Sequence, residues 1–236
     1  MTKDHDKSEA APSDRRAWRP MRPYRGRRRF DIVDPIVEPL WSGARVIGHT
    51  HVNADGEVDV ALIEDLGADV APELPDLAST FGRSVMAVSS VIDLVLTSEV
   101  SLRGIGAAAI TDVTSNGTGM LLRNNVEMDV RAPVPDKSEH APEPVTGLVA
   151  VDLLEIDGTS LLDVPLLERK RLLESVIDQN DLIRVSIHAR PPFDSWVVTW
   201  KSLGLRGAML KAANSHYRLG GDSIEWRTIE SVSRRG

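Results

Sequence analysis

The sequence of 236 residues contains no cysteine. This absence excludes disulfide bonds, thiolate metal sites and a thiol nucleophile, and it fits a reducing compartment. A long apolar run is also missing, because Ser89, Ser90 and Asp93 interrupt the best candidate, residues 85–96. The N-terminus, MTKDHDKSEA, is polar and therefore unlike a secretory signal. These absences predict a soluble cytoplasmic protein without membrane association.

Charge is divided unevenly along the chain, whose net charge is −7 at pH 7. Residues 1–30 carry ten Lys and Arg against four acids, a net of +6, so residues 31–236 carry a net of −13. Residues 1–30 are so polar and charged that they cannot bury enough apolar surface to fold alone. We therefore predict a disordered Arg-rich arm over residues 1–30 and a globular domain over residues 31–236.

Residues 15–30 hold eight arginines and no acid, with aromatic residues between them. Arginine neutralises phosphate and aromatic rings stack on bases, which makes this segment a candidate nucleic-acid-binding arm. Two alternatives remain open, a solvated tail and a tail that docks on the protein's own acidic body. The candidate contact residues are Arg15, Arg16, Trp18, Arg19, Arg22, Tyr24, Arg25, Arg27, Arg28 and Arg29.

Short strands dominate the pattern from residue 31 onward. Residues 44–52 and 57–63 predict a β-hairpin around the turn Asp55-Gly56. Proline-rich residues 132–146 predict an exposed loop, and Pro165 opens a helix with Lys170 and Glu174 on its polar face. Further predicted elements are a helix over 74–81, strands over 84–96, 147–156, 182–187 and 196–199, and two strands within 207–230 around Gly220-Gly221.

Three blocks of the sequence resemble the adenylation (nucleotidyltransferase) domain of bacterial ATP-dependent DNA ligases. Residues 150–177, AVDLLEIDGTSLLDVPLLERKRLLESVI, are similar to the family's FDLL strand, its DG turn and its PLxERRxLL helix. Residues 204–226 are similar to the GLEGVVAK strand and the tryptophan that opens the last motif, and residues 37–45, VEPLWSGAR, resemble EPKWDGxR. In residues 97–145 we can place no motif of the family.

The resemblance fails at the positions that carry the family's chemistry. In the family a lysine attacks the α-phosphate of ATP, and here that position is Leu40, which has no lone pair. The metal-linked glutamate is replaced by Arg206. Other replaced positions are Ser42 for an aspartate, Val95 for the glutamate near the ribose, Val151 for the aromatic beside adenine, and Thr228 and Glu230 for two phosphate-binding lysines.

The resemblance implies an α+β fold, an ATP-grasp-like ligase nucleotidyltransferase domain with two antiparallel sheets and flanking helices. It places the retained Glu38, Arg45 and Lys211 around a nucleotide, although they equally fit a leftover charge network. We expect no catalytic residue, no metal site even at His49 and His51, and neither of the family's cofactors, ATP and Mg²⁺. We also expect no OB-fold domain after residue 236.

Three functions follow as hypotheses. The first is a non-catalytic ligase-like protein, an accessory DNA-repair module that binds nucleic acid through its arm or binds a protein such as a true ligase or repair factor. The second is an active ligase or nucleotidyltransferase with displaced chemistry. The third is a nucleotide sensor that uses Glu38, Arg45 and Lys211.

Overall fold

The computed structural model describes residues 14–25, 31–99 and 145–230. In these residues two main β-sheets pack with three α-helices, which confirms the predicted α+β class with antiparallel sheets and flanking helices. The strands are β1 Arg22–Pro23, β2 Pro35–Pro39, β3 Ala44–Val52, β4 Val58–Glu64, β5 Ser89–Thr97, β6 Gly147–Ile156, β7 Thr159–Ser160, β8 Ile183–Val185, β9 Ala208–Ala212, β10 Asp222–Ser223 and β11 Trp226–Ile229. The helices are α1 Pro75–Ser84, α2 Leu166–Val176 and α3 Asp194–Ser202.

The larger sheet has the order β4-β3-β5-β6-β7, and β8 pairs in parallel with β6. Its first two strands form the predicted hairpin, with Val46 opposite Glu64 and Val52 opposite Val58. The Asn53 side chain accepts the backbone N–H groups of Asp55 and Glu57, which fixes the turn. The second sheet has the antiparallel order β11-β9-β2, and β1 pairs in parallel with β10 beside it.

Helices α1 and α2 cover one face of the larger sheet. Leu77 and Phe81 lie one turn apart on α1, and both are buried in the main apolar cluster together with Leu173 of α2. Burial of each large apolar side chain stabilises the fold by about 1.5–3 kcal/mol. No helix in the described part of the chain is long and apolar enough to cross a membrane.

A buried ion pair joins α2 to strand β6. Arg169 donates from Nε and Nη2 to the two carboxylate oxygens of Asp152, at 2.8 Å each, and both side chains are fully buried. Arg169 also donates to the carbonyl oxygen of Ser215 at 3.1 Å, between strands of the second sheet. Asp152 belongs to the sequence DLL and Arg169 to the sequence ERK, both within the block that resembles the ligases. These two parts of the block are therefore held together by one ion pair.

Three local expectations differ from the structure. Residues 196–199 are helical, because Val197 and Trp200 lie on one face of α3 and pack against the apolar side of the second sheet. Within residues 84–96, α1 continues to Ser84 and the strand begins only at Ser89. Lys170 is fully buried, not on a polar face. The predicted loop at 132–146 lies outside the described residues except for its last two.

Residues 14–25, here called the N-terminal strap, fold against the domain. Trp18 and Met21 are 2% and 0% exposed and belong to an apolar cluster between the sheets, and the Trp18 ring meets the edge of His49. Arg22 contacts Asp65 at 3.0 Å and Asp222 at 3.6 Å, and so links the larger sheet to β10. The prediction of a disordered arm is therefore wrong for these residues, because tertiary burial fixes them. Residues 1–13 and 26–30 lie outside the described ranges.

Candidate functional site: a cleft between the sheets

A cleft of about 750 Å³ opens between the two sheets. The strap forms one wall through Pro20, Arg22, Pro23, Tyr24 and Arg25. The other walls are the β2–β3 loop with Leu40, Trp41 and Gly43, the larger sheet with Arg45, Asp65 and Val95, and the second sheet with Arg206, Met209, Thr228 and Glu230. The cleft thus collects most of the positions that differ from the ligase motifs.

Leu40 lies at the end of β2, where its backbone N–H donates to the carbonyl oxygen of Gly207 at 3.0 Å. Its side chain is half-buried and packs against the apolar cluster that contains Met209 and Trp226. A lysine at this position would extend an amine into the cleft, whereas leucine presents only carbon. The wall of the cleft is therefore apolar where a nucleophile would be needed.

Arg45 faces the cleft but is held by an internal partner. Its guanidinium makes a bidentate contact with the fully buried carboxylate of Asp93, with Nε 2.9 Å from Oδ1. The Tyr217 hydroxyl donates to the same carboxylate at 2.5 Å. Burial alone would lower the pKa of Arg45, but Asp93 raises it above the usual value. Asp93 thus neutralises the charge that a phosphate would otherwise meet.

Glu38 and Lys211 lie together in a buried cluster. Its third member is Lys170, which the sequence analysis did not include. The Glu38 carboxylate is 2.9 Å from the Nζ of Lys170 and 3.0 Å from the Nζ of Lys211, and these side chains are at most 4% exposed. Burial alone would raise the pKa of Glu38, but the two lysines hold it below its usual value. Lys211 also lies 4.3 Å from the ring centroid of Trp226. We name these residues the Glu38 cluster.

Arg206 forms an exposed ion pair with Glu230 across the mouth of the cleft. Their nearest atoms are 3.1 Å apart, and the side chains are 62% and 58% exposed. The guanidinium is a cation where the resemblance calls for a metal-binding carboxylate, so these residues do not fit Mg²⁺. Within residues 14–25, 31–99 and 145–230 there is no group of three or more side chains that could hold a metal ion.

Trp41 is the aromatic side chain that the β2–β3 loop contributes to the cleft. It packs against Val95, Val149 and Val151 on the larger sheet. Its indole N–H donates to the Ser186 hydroxyl at 3.0 Å. The sequence analysis did not predict this contact. It treated Val95 and Val151 as replacements of two nucleotide-binding residues of the family, and not as an apolar surface on which Trp41 packs.

The arm candidates are divided by the structure. Arg15 pairs with Asp59, and Arg19 donates to the carbonyl oxygen of Asp65, so these two dock on the acidic body, as one of the alternatives proposed. Tyr24 and Arg25 instead reach the cleft. Trp18 and Arg22 are part of the packed strap described above, Arg16 is exposed, and Arg27, Arg28 and Arg29 lie outside the described residues.

At two glycines of the ligase-like motifs, the structure leaves no room for a side chain. A Cβ atom on Gly43, whose φ is 152°, would lie 2.1 Å from the carbonyl oxygen of Leu96. One on Gly207 would lie 2.0 Å from the carbonyl oxygen of Ile229. Both glycines therefore allow a close approach of two backbones, β3 to β5 in one sheet and β9 to β11 in the other.

Comparison with known proteins agrees with this geometry. A family profile described as "ATP dependent DNA ligase domain" matches residues 113–228. Among solved structures, the mycobacterial DNA ligase D complexed with ATP and MES superimposes with a TM-score of 0.59 at 19% identity, covering 90% of this chain and 60% of that one. The ligase domain of M. tuberculosis LigD gives 0.58 at 20% identity, covering 91% and 60%.

The chain thus spans 60% of the length of these two ligase structures. No curated protein matches it. The profile begins at residue 113, so the expectation that residues 97–145 resemble nothing in the family is wrong for residues 113–145. The structural similarity covers 90% of this chain. The sequence match and the fold together show that the chain is similar to the nucleotidyltransferase, or adenylation, domain of ATP-dependent DNA ligases.

Proposed function

We propose that this domain is non-catalytic and serves as an accessory ligase-like module. The observation that carries the proposal is Leu40, an apolar side chain packed on the core at the position of the attacking amine. The reaction of the family forms a phosphoramidate, which requires a nitrogen lone pair at that point. Carbon cannot supply one.

The surrounding charges support the same proposal. Arg206 and Glu230 neutralise each other, Asp93 neutralises Arg45, and Lys211 is buried against Glu38. Phosphoryl transfer depends on preorganised cations and a metal that meet the developing charge. A ligand that recruited these groups would first have to break ion pairs within the protein, which also disfavours the nucleotide-sensor hypothesis.

The test is self-adenylation with labelled ATP and Mg²⁺ or Mn²⁺, with an active ATP-dependent ligase as positive control. We expect no covalent AMP on the wild-type chain and none on Leu40→Lys, because the variant restores the amine without the metal ligand. Calorimetry on the same samples should show no ATP binding at millimolar ATP. A stoichiometric adduct that survives denaturation would contradict the proposal, and the modified residue would locate displaced chemistry.

We further propose that the accessory role includes nucleic-acid binding at the end of the strap. Tyr24 is 38% exposed and lies beside Arg25 at the rim of the cleft, and Arg27, Arg28 and Arg29 follow directly in sequence. Cations next to an exposed ring are the elements of single-strand binding. Arg15 and Arg22 are excluded from this role because they already contact aspartates of the domain.

Alanine at Arg25, Arg27, Arg28 and Arg29 together should weaken binding of single-stranded DNA roughly 10- to 100-fold. It should also reduce the salt slope of log K by up to about 3, since each phosphate contact contributes about 0.7. Fluorescence anisotropy over a salt series measures both quantities. The control with the same loss of charge is alanine at Arg83, Arg171, Arg184 and Arg190. Equal losses of DNA affinity in the two variants would show that the effect comes from net charge and not from contacts made by these four arginines.

A protein partner, such as a true ligase or repair factor, is the second candidate for the accessory role. The net charge of −13 on residues 31–236 favours it over duplex DNA as the contact of the domain body, because phosphates are repelled there. The DNA-binding assay separates the two. If the domain binds no nucleic acid at low salt, the protein-partner hypothesis takes first place.

A further inference from the structure

Strand β4 and the residues on either side of it carry charge of one sign. Residues 46–82, here called the acidic stretch, contain eight acids and neither lysine nor arginine. The N-terminal strap has the opposite character, with five arginines and one acid in residues 14–25. Ion pairs join the strap to the acidic stretch near both ends of β4, so the two segments face each other as cation and anion.

Three arginines of the strap contact two aspartates of the acidic stretch. Arg15 pairs with the carboxylate of Asp59. Nη1 of Arg22 lies 3.0 Å from the carboxylate of Asp65, and Arg19 donates to the carbonyl oxygen of Asp65. The side chains of the two ion pairs are between 40% and 54% exposed. Because exposed ion pairs are weak and are screened by salt, an external polyanion can replace these carboxylates as the partner of the arginines.

The arginines can change partner while the strap stays in place. Trp18 and Met21 are buried between the sheets and anchor the backbone of the strap. The guanidinium of Arg22 is partly exposed, so rotation of its own side chain is enough to bring it to another anion. Arg22 also lines the cleft together with Tyr24 and Arg25, where we propose that nucleic acid binds.

We propose that the acidic stretch competes with nucleic acid for the arginines of the strap. Asp59 and Asp65 act as internal counterions of Arg15 and Arg22, and a single-stranded nucleic acid whose phosphates displace these carboxylates gains two further cationic contacts. The docked strap therefore offers nucleic acid fewer arginines than its sequence contains. The inference rests on the proposed nucleic-acid binding and adds its regulation, because the charge of the acidic stretch then sets the affinity.

The test is binding of single-stranded DNA to the full chain with Asp59→Asn and Asp65→Asn together. Since both arginines lose their internal counterion, this variant should bind roughly 3- to 10-fold more tightly than the wild type. The salt slope of log K should become steeper by up to about 1.4, because each phosphate contact contributes about 0.7. Fluorescence anisotropy over a salt series measures both quantities, and equal melting temperatures verify that the variant is folded.

The first control removes two negative charges that hold no arginine. Asp55 and Glu57 belong to the same acidic stretch and are exposed, and no ion pair joins either of them to an arginine in the described part of the chain. Asp55→Asn with Glu57→Gln should therefore change the affinity by less than about 2-fold in salt near physiological strength, where long-range charge effects are screened. Equal increases of affinity in the two acid-to-amide variants would overturn the proposal.

The second control removes the arginines themselves. Arg15→Ala and Arg22→Ala, added to the double asparagine variant, should abolish its increase in affinity. Arg83→Ala and Arg184→Ala in the same background give the same net charge and should preserve the increase. An increase that survives the loss of Arg15 and Arg22 would overturn the proposal, since it would come from weaker repulsion of phosphate alone.

The competition and the proposed binding site at the end of the strap fail separately. Alanine at Arg25, Arg27, Arg28 and Arg29 tests the site, whereas the aspartate variants test the competition. If the wild type binds through those four arginines and the double asparagine variant binds no more tightly, the competition is wrong and the site stands. If no variant binds single-stranded DNA at low salt, both proposals are overturned.

Discussion

Replacement of Glu38 by glutamine should lower the free energy of unfolding by about 3–5 kcal/mol at pH 7. The substitution keeps the shape of the side chain but removes the charge that Lys170 and Lys211 share. Two buried ammonium groups would then lack a counterion, and loss of one partner from a buried pair has an effect of this size. Denaturation in urea, with the slope of the transition monitored, measures the change.

The control for this experiment is Glu168→Gln, on the exposed face of α2. Glu168 pairs with Arg171 in solvent, with side chains 52% and 63% exposed, and should contribute less than about 1 kcal/mol. Glu38→Gln combined with Lys170→Met and Lys211→Met should recover part of the loss, because methionine fills the space without a charge. A loss below about 1 kcal/mol in Glu38→Gln alone would mean that the lysines reach other partners.

This result also bears on function. If Glu38→Gln destabilises the domain as expected, stability explains why Glu38 is present. No bound nucleotide is then needed to account for this residue. The same reasoning covers Lys211, which is the partner of Glu38 and lies on the ring of Trp226. Of the three residues that the resemblance placed around a nucleotide, only Arg45 faces the cleft.

Replacement of Trp18 by alanine should lower the free energy of unfolding by about 3–5 kcal/mol as well. Trp18 is 2% exposed between the sheets, and the cavity left by its ring cannot collapse fully against the strands. For a domain of this size the melting temperature should fall by roughly 6–20 °C, which calorimetry or circular dichroism would show. A chain that begins at Asp31 should lose still more, because it also lacks Met21 and Arg22.

Arg16→Ala is the control within the strap, since Arg16 is exposed and its change should stay within about 0.5 kcal/mol. A truncated chain with an unchanged melting temperature would return the strap to the status of a disordered arm. The effect of the strap on stability also matters for any DNA-binding experiment that uses a truncated chain. Loss of DNA binding on removal of residues 15–30 would combine lost contacts with lost stability, which is why point substitutions at Arg25 and beyond are needed.

The predictable part of the fold is the part governed by local pattern. The β3–β4 hairpin has a turn sequence between alternating strands, and β6 with its Asp157-Gly158 turn has both a buried apolar run and residues at positive φ. Helix α2 begins directly after Pro165, as its sequence indicated. In each case neighbouring residues alone determine the conformation.

The unpredicted part depends on residues distant in sequence. Lys170 looks like a surface residue until Glu38, 132 positions earlier, is known to lie 2.9 Å from it. The strap has the sequence of a polar tail because few of its residues are buried, namely Trp18, Pro20 and Met21. The pocket of Trp18 and Met21 is built from both sheets. Residues 196–199, rich in β-branched and aromatic side chains, favour a strand locally, but packing on the second sheet selects a helix.

The close backbone approach at Gly43 and Gly207 has an evolutionary consequence. Any side chain at either position would collide with a carbonyl oxygen of the adjacent strand, so mutation there is penalised whether or not the cleft performs a reaction. Selection for folding alone is therefore enough to preserve both glycines. Their presence in the sequence marks the fold of the two sheets and carries no information about the chemistry of the cleft.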